Sequence, residues 1–171
     1  MPEADQDALY RLAIAEHGSA IGRLLRAYEA NAELRRDLLQ DIHVGLWRSF
    51  AVFDGRCSLR TWVYRVAHNI ASSHVARRIR ASKQVSLDAL MELPDAGDVE
   101  ETASEKQMLE KLTALIRTLG QPDRQIILLY LEDMDAAAIA EITGLKPGAI
   151  ATKIHRIKAL LARRFKDGRP E

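Results

Sequence analysis

Apolar side chains in this sequence recur at three- and four-residue steps through two long blocks, and between the blocks the rhythm stops. Such steps put side chains on one face of an α-helix, so the chain is constrained to helices packed in two groups. In the first block Leu9, Leu12, Ala13, Ala20, Ile21, Leu24, Leu25 and Tyr28 keep the rhythm, with a break expected near Gly18. Leu34, Leu38, Ile42 and Leu46 repeat it at four-residue steps, widened by Leu39, Trp47 and Phe50. Asn31 is a candidate N-cap, Asp54-Gly55 a turn, and Ser58 a cap for a third helix over about 59–80. Trp62, Val63, Val66, Ala67, Ile70 and Ala71 form that helix's apolar stripe.

Residues 85–104 contain Pro94, Gly97 and many acids without sustained periodicity, and read as a linker. Helical pattern resumes with Leu109, Leu112, Leu115, Ile116 and Leu119, ended by Gly120-Gln121-Pro122. A helix over 123–132 carries Ile126, Ile127, Leu128, Leu129, Tyr130 and Leu131 on more than one face and is predicted to be mostly buried. Asp135 caps a helix over 136–143, Gly144-Leu145 turns, and Lys146-Pro147-Gly148 opens a last helix reaching about Phe165. No segment alternates like a strand. The expected fold is all-α: two small helical domains, 1–84 and 105–171, joined by the linker at 85–104, the second domain containing a helix-turn-helix.

Charge is blocked in the same way. Net charge is only +1, yet 56–83 hold seven Lys or Arg and no acid, 146–166 hold seven more and no acid, and 88–105 hold seven acids and no Lys or Arg. Two basic blocks set apart by an acidic one create local fields that a polyanion feels even at neutral total charge. Cys57 is the single cysteine, so an intramolecular disulfide and a zinc site built on several cysteines are excluded. The acidic start, Met1-Pro-Glu-Ala-Asp5, is the opposite of a signal peptide's, and no apolar run approaches the roughly 20 residues that span a bilayer. A cytosolic location without membrane insertion is expected. None of the five histidines, His17, His43, His68, His74 and His155, has an acid four residues away, no glycine loop for phosphate is present, and no metal or cofactor is expected.

Residues 136–156 carry the most informative motif. A helix-turn-helix needs a small residue where two helices approach, a turn residue tolerant of positive φ, and a branched apolar residue locking the second helix. Ala140, Gly144 and Ile150 have those properties at steps of four and six, with Ile139, Ile142 and Leu145 as shared core. Pro147 suits a first helical turn. Ile150, Ile154, Ile157 and Leu161 bury one stripe of the last helix, leaving Ala149, Thr152, Lys153 and Arg156 outside it, where a major groove can be read.

Three stretches, in order, resemble the extracytoplasmic-function (ECF) group of bacterial sigma factors in the sigma-70 superfamily. Asp37-Leu-Leu-Gln-Asp-Ile-His-Val-Gly-Leu-Trp47 is similar to the family helix that grips the β′ clamp helices of RNA polymerase. Phe53-Asp-Gly-Arg-Cys-Ser-Leu-Arg-Thr-Trp-Val-Tyr-Arg-Val-Ala-His-Asn69 is similar to the signature that opens the helix recognising the −10 element. Leu119-Gly-Gln-Pro-Asp-Arg-Gln-Ile-Ile-Leu-Leu-Tyr130, with the helix-turn-helix after it, is similar to region 4, which reads the −35 element. The resemblance implies a protein that is not an enzyme, with core RNA polymerase (β′ clamp helices and β flap), promoter DNA and an anti-sigma factor as partners. It implies polymerase contacts at Asp37, Leu38, Gln40, Asp41 and Trp47. It implies −10 contacts at Arg56, Arg60, Asn69, Ser73, His74, Arg77 and Arg78. It implies −35 contacts at Lys146, Gly148, Ala149, Thr152, Lys153 and Arg156.

The sequence departs from the family at Lys146, where Ser is frequent and a side-chain N-cap is lost, and along 151–158, so the −35 preference does not carry over. Trp62 reads as core, and Tyr64 lies off the apolar stripe. Cys57 reads as a structural or incidental thiol. Two other classes stay open on sequence: a stand-alone helix-turn-helix regulator, and an adaptor that sequesters an anti-sigma factor.

Overall fold

A computed structural model describes residues 3–85 and 105–167; of the expected linker, residues 86–104 lie outside the described residues. Among the described residues there are seven helices and no strand: α1 (Glu3–Tyr28), α2 (Ala32–Phe50), α3 (Leu59–Val85), α4 (Glu105–Arg117), α5 (Asp123–Leu131), α6 (Ala136–Thr143) and α7 (Pro147–Asp167).

Helices α1, α2 and α3 form the first group. The Asn31 side chain accepts from the backbone N–H groups of Glu33 and Leu34, so the N-cap sits where sequence put it. The Ser58 hydroxyl oxygen likewise accepts from the Thr61 N–H at 3.0 Å and starts α3. α2 folds back antiparallel on α1: the Tyr10 hydroxyl and His43 Nδ1 hydrogen-bond at 2.7 Å, and Trp47 Nε1 donates to Asp7 at 2.7 Å. Leu38, Ile42, Leu46 and Phe50 of α2 are buried against Ile21, Leu24, Leu25, Val63, Ala67 and Ala71. Gly45 lets α2 approach α3 closely, since a Cβ there would lie 2.3 Å from Ile70 Cδ1.

The break expected at Gly18 does not occur, and α1 runs uninterrupted through it. A mid-helix glycine costs about 1 kcal/mol. Burial of Ala13, Ala20, Ile21 and Leu24 on both sides of it contributes more, at about 1.5–3 kcal/mol per large aliphatic side chain. Tyr64, off the apolar stripe in sequence, is buried as well, because α3 is covered on a second side by α1 and by the second helical group.

Helices α4 to α7 form that second group around Leu115, Ile116, Leu119, Ile126, Ile127, Leu129, Ile139, Ile150, Ile157 and Leu161. In α5 only Ile126 to Leu129 are buried; Leu131 is 50% exposed and Tyr130 also reaches solvent, so less of the helix is buried than expected. α1 touches α4 and α3 touches α6, so the two groups lie against one another.

Candidate nucleic-acid and polymerase interface

On α2, Asp37, Gln40 and Asp41 stand on one exposed face at steps of three and four. Asp41 lies 3.7 Å from Arg77 of α3, both well exposed. Leu38 does not join that face. It is 0% exposed and offers no atom to a partner, because its position on the stripe with Ile42 and Leu46 commits it to the core. Trp47 is half-buried and braces the end of α2: besides its bond to Asp7, its carbonyl accepts from Gln6 Nε2 at 2.6 Å.

On α3, Asn69, Ser73 and Arg77 are exposed at successive steps of four and form one ridge. Arg80, exposed one further turn along, extends it, and sequence reasoning left that residue out. Arg56 is exposed before the helix and pairs with Asp54 at 3.1 Å. Arg60 points elsewhere: its Nη2 donates to the backbone carbonyl of Glu132 in the other helical group, and its guanidinium lies 5.8 Å from the Tyr64 ring centroid.

His74 is the clear correction. It is 9% exposed, and its Nε2 pairs with Glu29 at 3.0 Å, so it faces inward and does not stand on the ridge. Glu29, 1% exposed, also takes Arg78 at 2.5 Å and the Asn31 N–H at 2.8 Å. Burial alone raises a carboxyl's pKa. The hydrogen bonds from His74, the Asn31 N–H and Arg78, with the Arg78 charge, outweigh it and hold Glu29 below its ordinary value. Arg78 is tethered at one side of its guanidinium and remains about half exposed at the other. Glu29 closes α1 with no sequence signal beyond an acid at a helix end, which reads as ordinary polar surface.

In the helix-turn-helix, Asp135 accepts from the Ala138 N–H at 2.7 Å and caps α6. Gly144 takes φ 75° and donates to the Ala140 carbonyl, ending α6 in the left-handed turn that the spacing required. Ile150, Ile157 and Leu161 are buried, and Lys146, Gly148, Ala149, Thr152 and Arg156 are exposed together along the start and outer face of α7. Lys153 is half-buried, its Nζ donating to Asp123 at 2.9 Å. A protruding helix with small residues at its start and cations behind them fits a major groove.

Cys57 is partly buried, and burial pushes its thiol pKa up, away from nucleophile chemistry. Among the described residues no cluster of three or more His, Cys, Asp or Glu is placed to hold a metal, and no helix is long and apolar enough to cross a membrane.

Comparison with known proteins matches these two helical groups to two family descriptions. Residues 13–81 match "Sigma-70 region 2" and residues 109–161 match "Sigma-70, region 4", which together take in more than two thirds of the chain. The chain belongs to the sigma-70 family. This sigma factor is 26% identical over 141 residues to the RNA polymerase sigma factor YlaC of Bacillus subtilis, covering 81% of this chain and 82% of the relative. It is 21% identical over 180 residues to the ECF sigma factor SigW of the same organism, covering 96% and 92%. To the ECF sigma-E factor of Escherichia coli it is 22% identical over 161 residues, covering 91% and 83%. Its fold matches CnrH, solved in complex with the cytosolic domain of CnrY, with a TM-score of 0.66 at 19% identity over 92% of this chain and 88% of that one. It also matches the sigma factor RpoE of Bartonella quintana, solved with the anti-sigma factor NepR, with a TM-score of 0.68 at 19% identity over 91% and 97%. The chain is therefore an ECF-type sigma factor, a promoter-directing subunit that acts with RNA polymerase on promoter DNA.

Proposed function

We propose a division of labour among three surfaces. Asp37, Gln40 and Asp41, with Trp47 bracing the helix, dock region 2 on the clamp helices of core polymerase. Asn69, Ser73 and Arg77, with Arg56, Arg60, Arg78 and the added Arg80, hold the opened −10 strand. A melted strand needs cations for phosphates and polar edges for unstacked bases, and this ridge offers both. Lys146, Gly148, Ala149, Thr152, Lys153 and Arg156 enter the major groove at the −35 element. In this reading region 2 takes 1–84 and region 4 takes 105–171, joined by a linker over 85–104.

The protein works by binding, with no chemistry of its own, and in the cytoplasm, where polymerase and promoter are. RpoE was solved with the anti-sigma factor NepR, and CnrH with the cytosolic domain of CnrY; an anti-sigma factor is proposed for this chain on the ground of the RpoE complex. The observation that carries the reading is the order of surfaces along one chain. An exposed acidic helix face comes first, a basic ridge second, and a helix-turn-helix with a bared recognition helix third.

The test is transcription from genomic promoter fragments by sigma-free core polymerase supplied with the purified protein. Discrete start sites that vanish with Asp41→Lys or with Arg156→Glu are expected. A core enzyme that neither binds the protein nor initiates with it overturns the reading.

A further inference from the structure

Among the described residues a single Asp or Glu is buried, and it is held against α3. Glu29, just past the end of α1, uses both carboxylate oxygens. Oε1 accepts from the Asn31 N–H at 2.8 Å. Oε2 takes His74 Nε2 at 3.0 Å and Arg78 Nη1 at 2.5 Å. Its carbonyl accepts from Arg35 Nη1 at 3.2 Å, which fixes the backbone that carries it. Asn31 caps α2 with its side chain, so the carboxylate is anchored where α1 passes into α2 and reaches across to α3. An ionised carboxylate only accepts, so His74 Nε2 carries the proton of the bond it makes with Glu29. His74 and Arg78 are one turn apart on α3 and meet on a single oxygen.

Stability alone does not account for such a group. Replacing a buried ion pair by apolar side chains of like volume is often neutral or stabilising, so its presence points to a defined position for one of its members. That member is Arg78. Its guanidinium presents five donors in a planar fork. Glu29 holds the Nη1 end, and about half of the side chain remains in solvent. The neighbouring cation Arg77 is held more loosely, by an exposed Asp41 3.7 Å away. We infer that Glu29 is a positioning residue for the −10 interaction: its carboxylate, fixed by Asn31 and His74, presents the free edge of Arg78 to the opened strand. Glu29 touches no DNA in this arrangement and acts only through Arg78. A cation already in place loses less freedom when it meets a phosphate or a base edge. Lysine does not substitute, because a compact ammonium held by Glu29 has no second planar edge to offer. The role rests on the reading that gives Arg78 to the −10 element.

The experiment uses the full chain already assembled with core polymerase, so that affinity for core does not enter. The probe is a promoter fragment recovered by mapping transcription start sites, its −10 region held open by mismatched bases. Its affinity is measured by titration for wild type, Glu29→Gln, Arg78→Ala, the two changes together, and Arg78→Lys. Melting temperature and far-UV circular dichroism of the free proteins report on the fold. Glu29→Gln is expected to weaken binding about three- to tenfold, and Arg78→Ala by at least as much. In the Arg78→Ala background Glu29→Gln is expected to change binding by less than about twofold, since its route to the strand is already gone. A purely structural Glu29 gives losses that multiply. That result overturns the proposal and leaves Arg78 on the −10 strand, and a Glu29→Gln protein that binds like wild type overturns it too. Arg78→Ala with wild-type affinity removes the assignment of Arg78 to the −10 strand, and the role of Glu29 with it. Arg78→Lys keeps a cation beside Glu29 and decides the matter if Glu29→Gln does not fold. It is expected to weaken binding about three- to tenfold at an unchanged melting temperature, and wild-type binding by it overturns the proposal.

Discussion

His68 illustrates how a single side chain ties this fold to pH. It lies fully buried between α1 and α3, with Nδ1 3.0 Å from the Tyr28 hydroxyl, and burial pulls its pKa down to about 3. The folded pKa is below the unfolded value near 6.5, so the unfolded chain binds the proton first. Stability from a neutral His68 is present above pH 6.5 and is lost as pH falls below it. Between pH 7 and pH 5 the loss from this one group is about 2 kcal/mol. His17, whose pKa burial also lowers, acts in the same direction. Urea unfolding at pH 7, 6 and 5 checks this: His68→Gln is expected to flatten the decline by about 2 kcal/mol, whatever its own cost. Equal stability of the wild type at pH 5 and pH 7 is the contrary result. None of this was legible in sequence, where His68 and His74 stand at unremarkable spacing among basic residues. Their partners, Tyr28 and Glu29, lie about 40 residues away along the chain.

Elements were far more readable than side-chain pairings, because what starts and stops a helix is local. Asn31, Ser58, Asp135 and Gly144 all act at the ends of the helices they flank in sequence. Gly18 misled because its cost is local while the burial that overrides it comes from α2 and α3. The turn of the helix-turn-helix gives the sharpest test at this scale. Gly144 sits at φ 75°, and Gly144→Ala is expected to destabilise the protein by about 1–2 kcal/mol, seen as a lower melting temperature. Lys146 adds a functional one. It is exposed at the start of α7, and the proposed −35 reading has it meet a phosphate and read no base. Lys146→Ala is expected to lower the slope of log affinity against log salt for promoter binding by about 0.9 while leaving sequence preference alone.

As a whole the molecule is an adaptor between a large enzyme and a duplex, and its two ends should fail independently. Asp41 has an exposed partner in Arg77 at 3.7 Å, a pair worth less than about 1 kcal/mol. Asp41→Lys is therefore expected to keep the fold while weakening core binding at least tenfold. Arg156→Glu is expected to keep core binding within about twofold and abolish −35-dependent starts. Native gels with core polymerase, run beside transcription assays, separate the two. The order of the surfaces was legible from three motifs. The contact between the halves was not, since Glu132 and Glu141 meet arginines 72 to 109 residues away and no periodicity marks them.

That contact also bears on where the unbound protein spends its time. A genome offers roughly a million to a billion non-specific sites to any chain with bared cations. With Arg60 and Arg65 turned onto region 4, an idle copy has less charge to lend to passing phosphates.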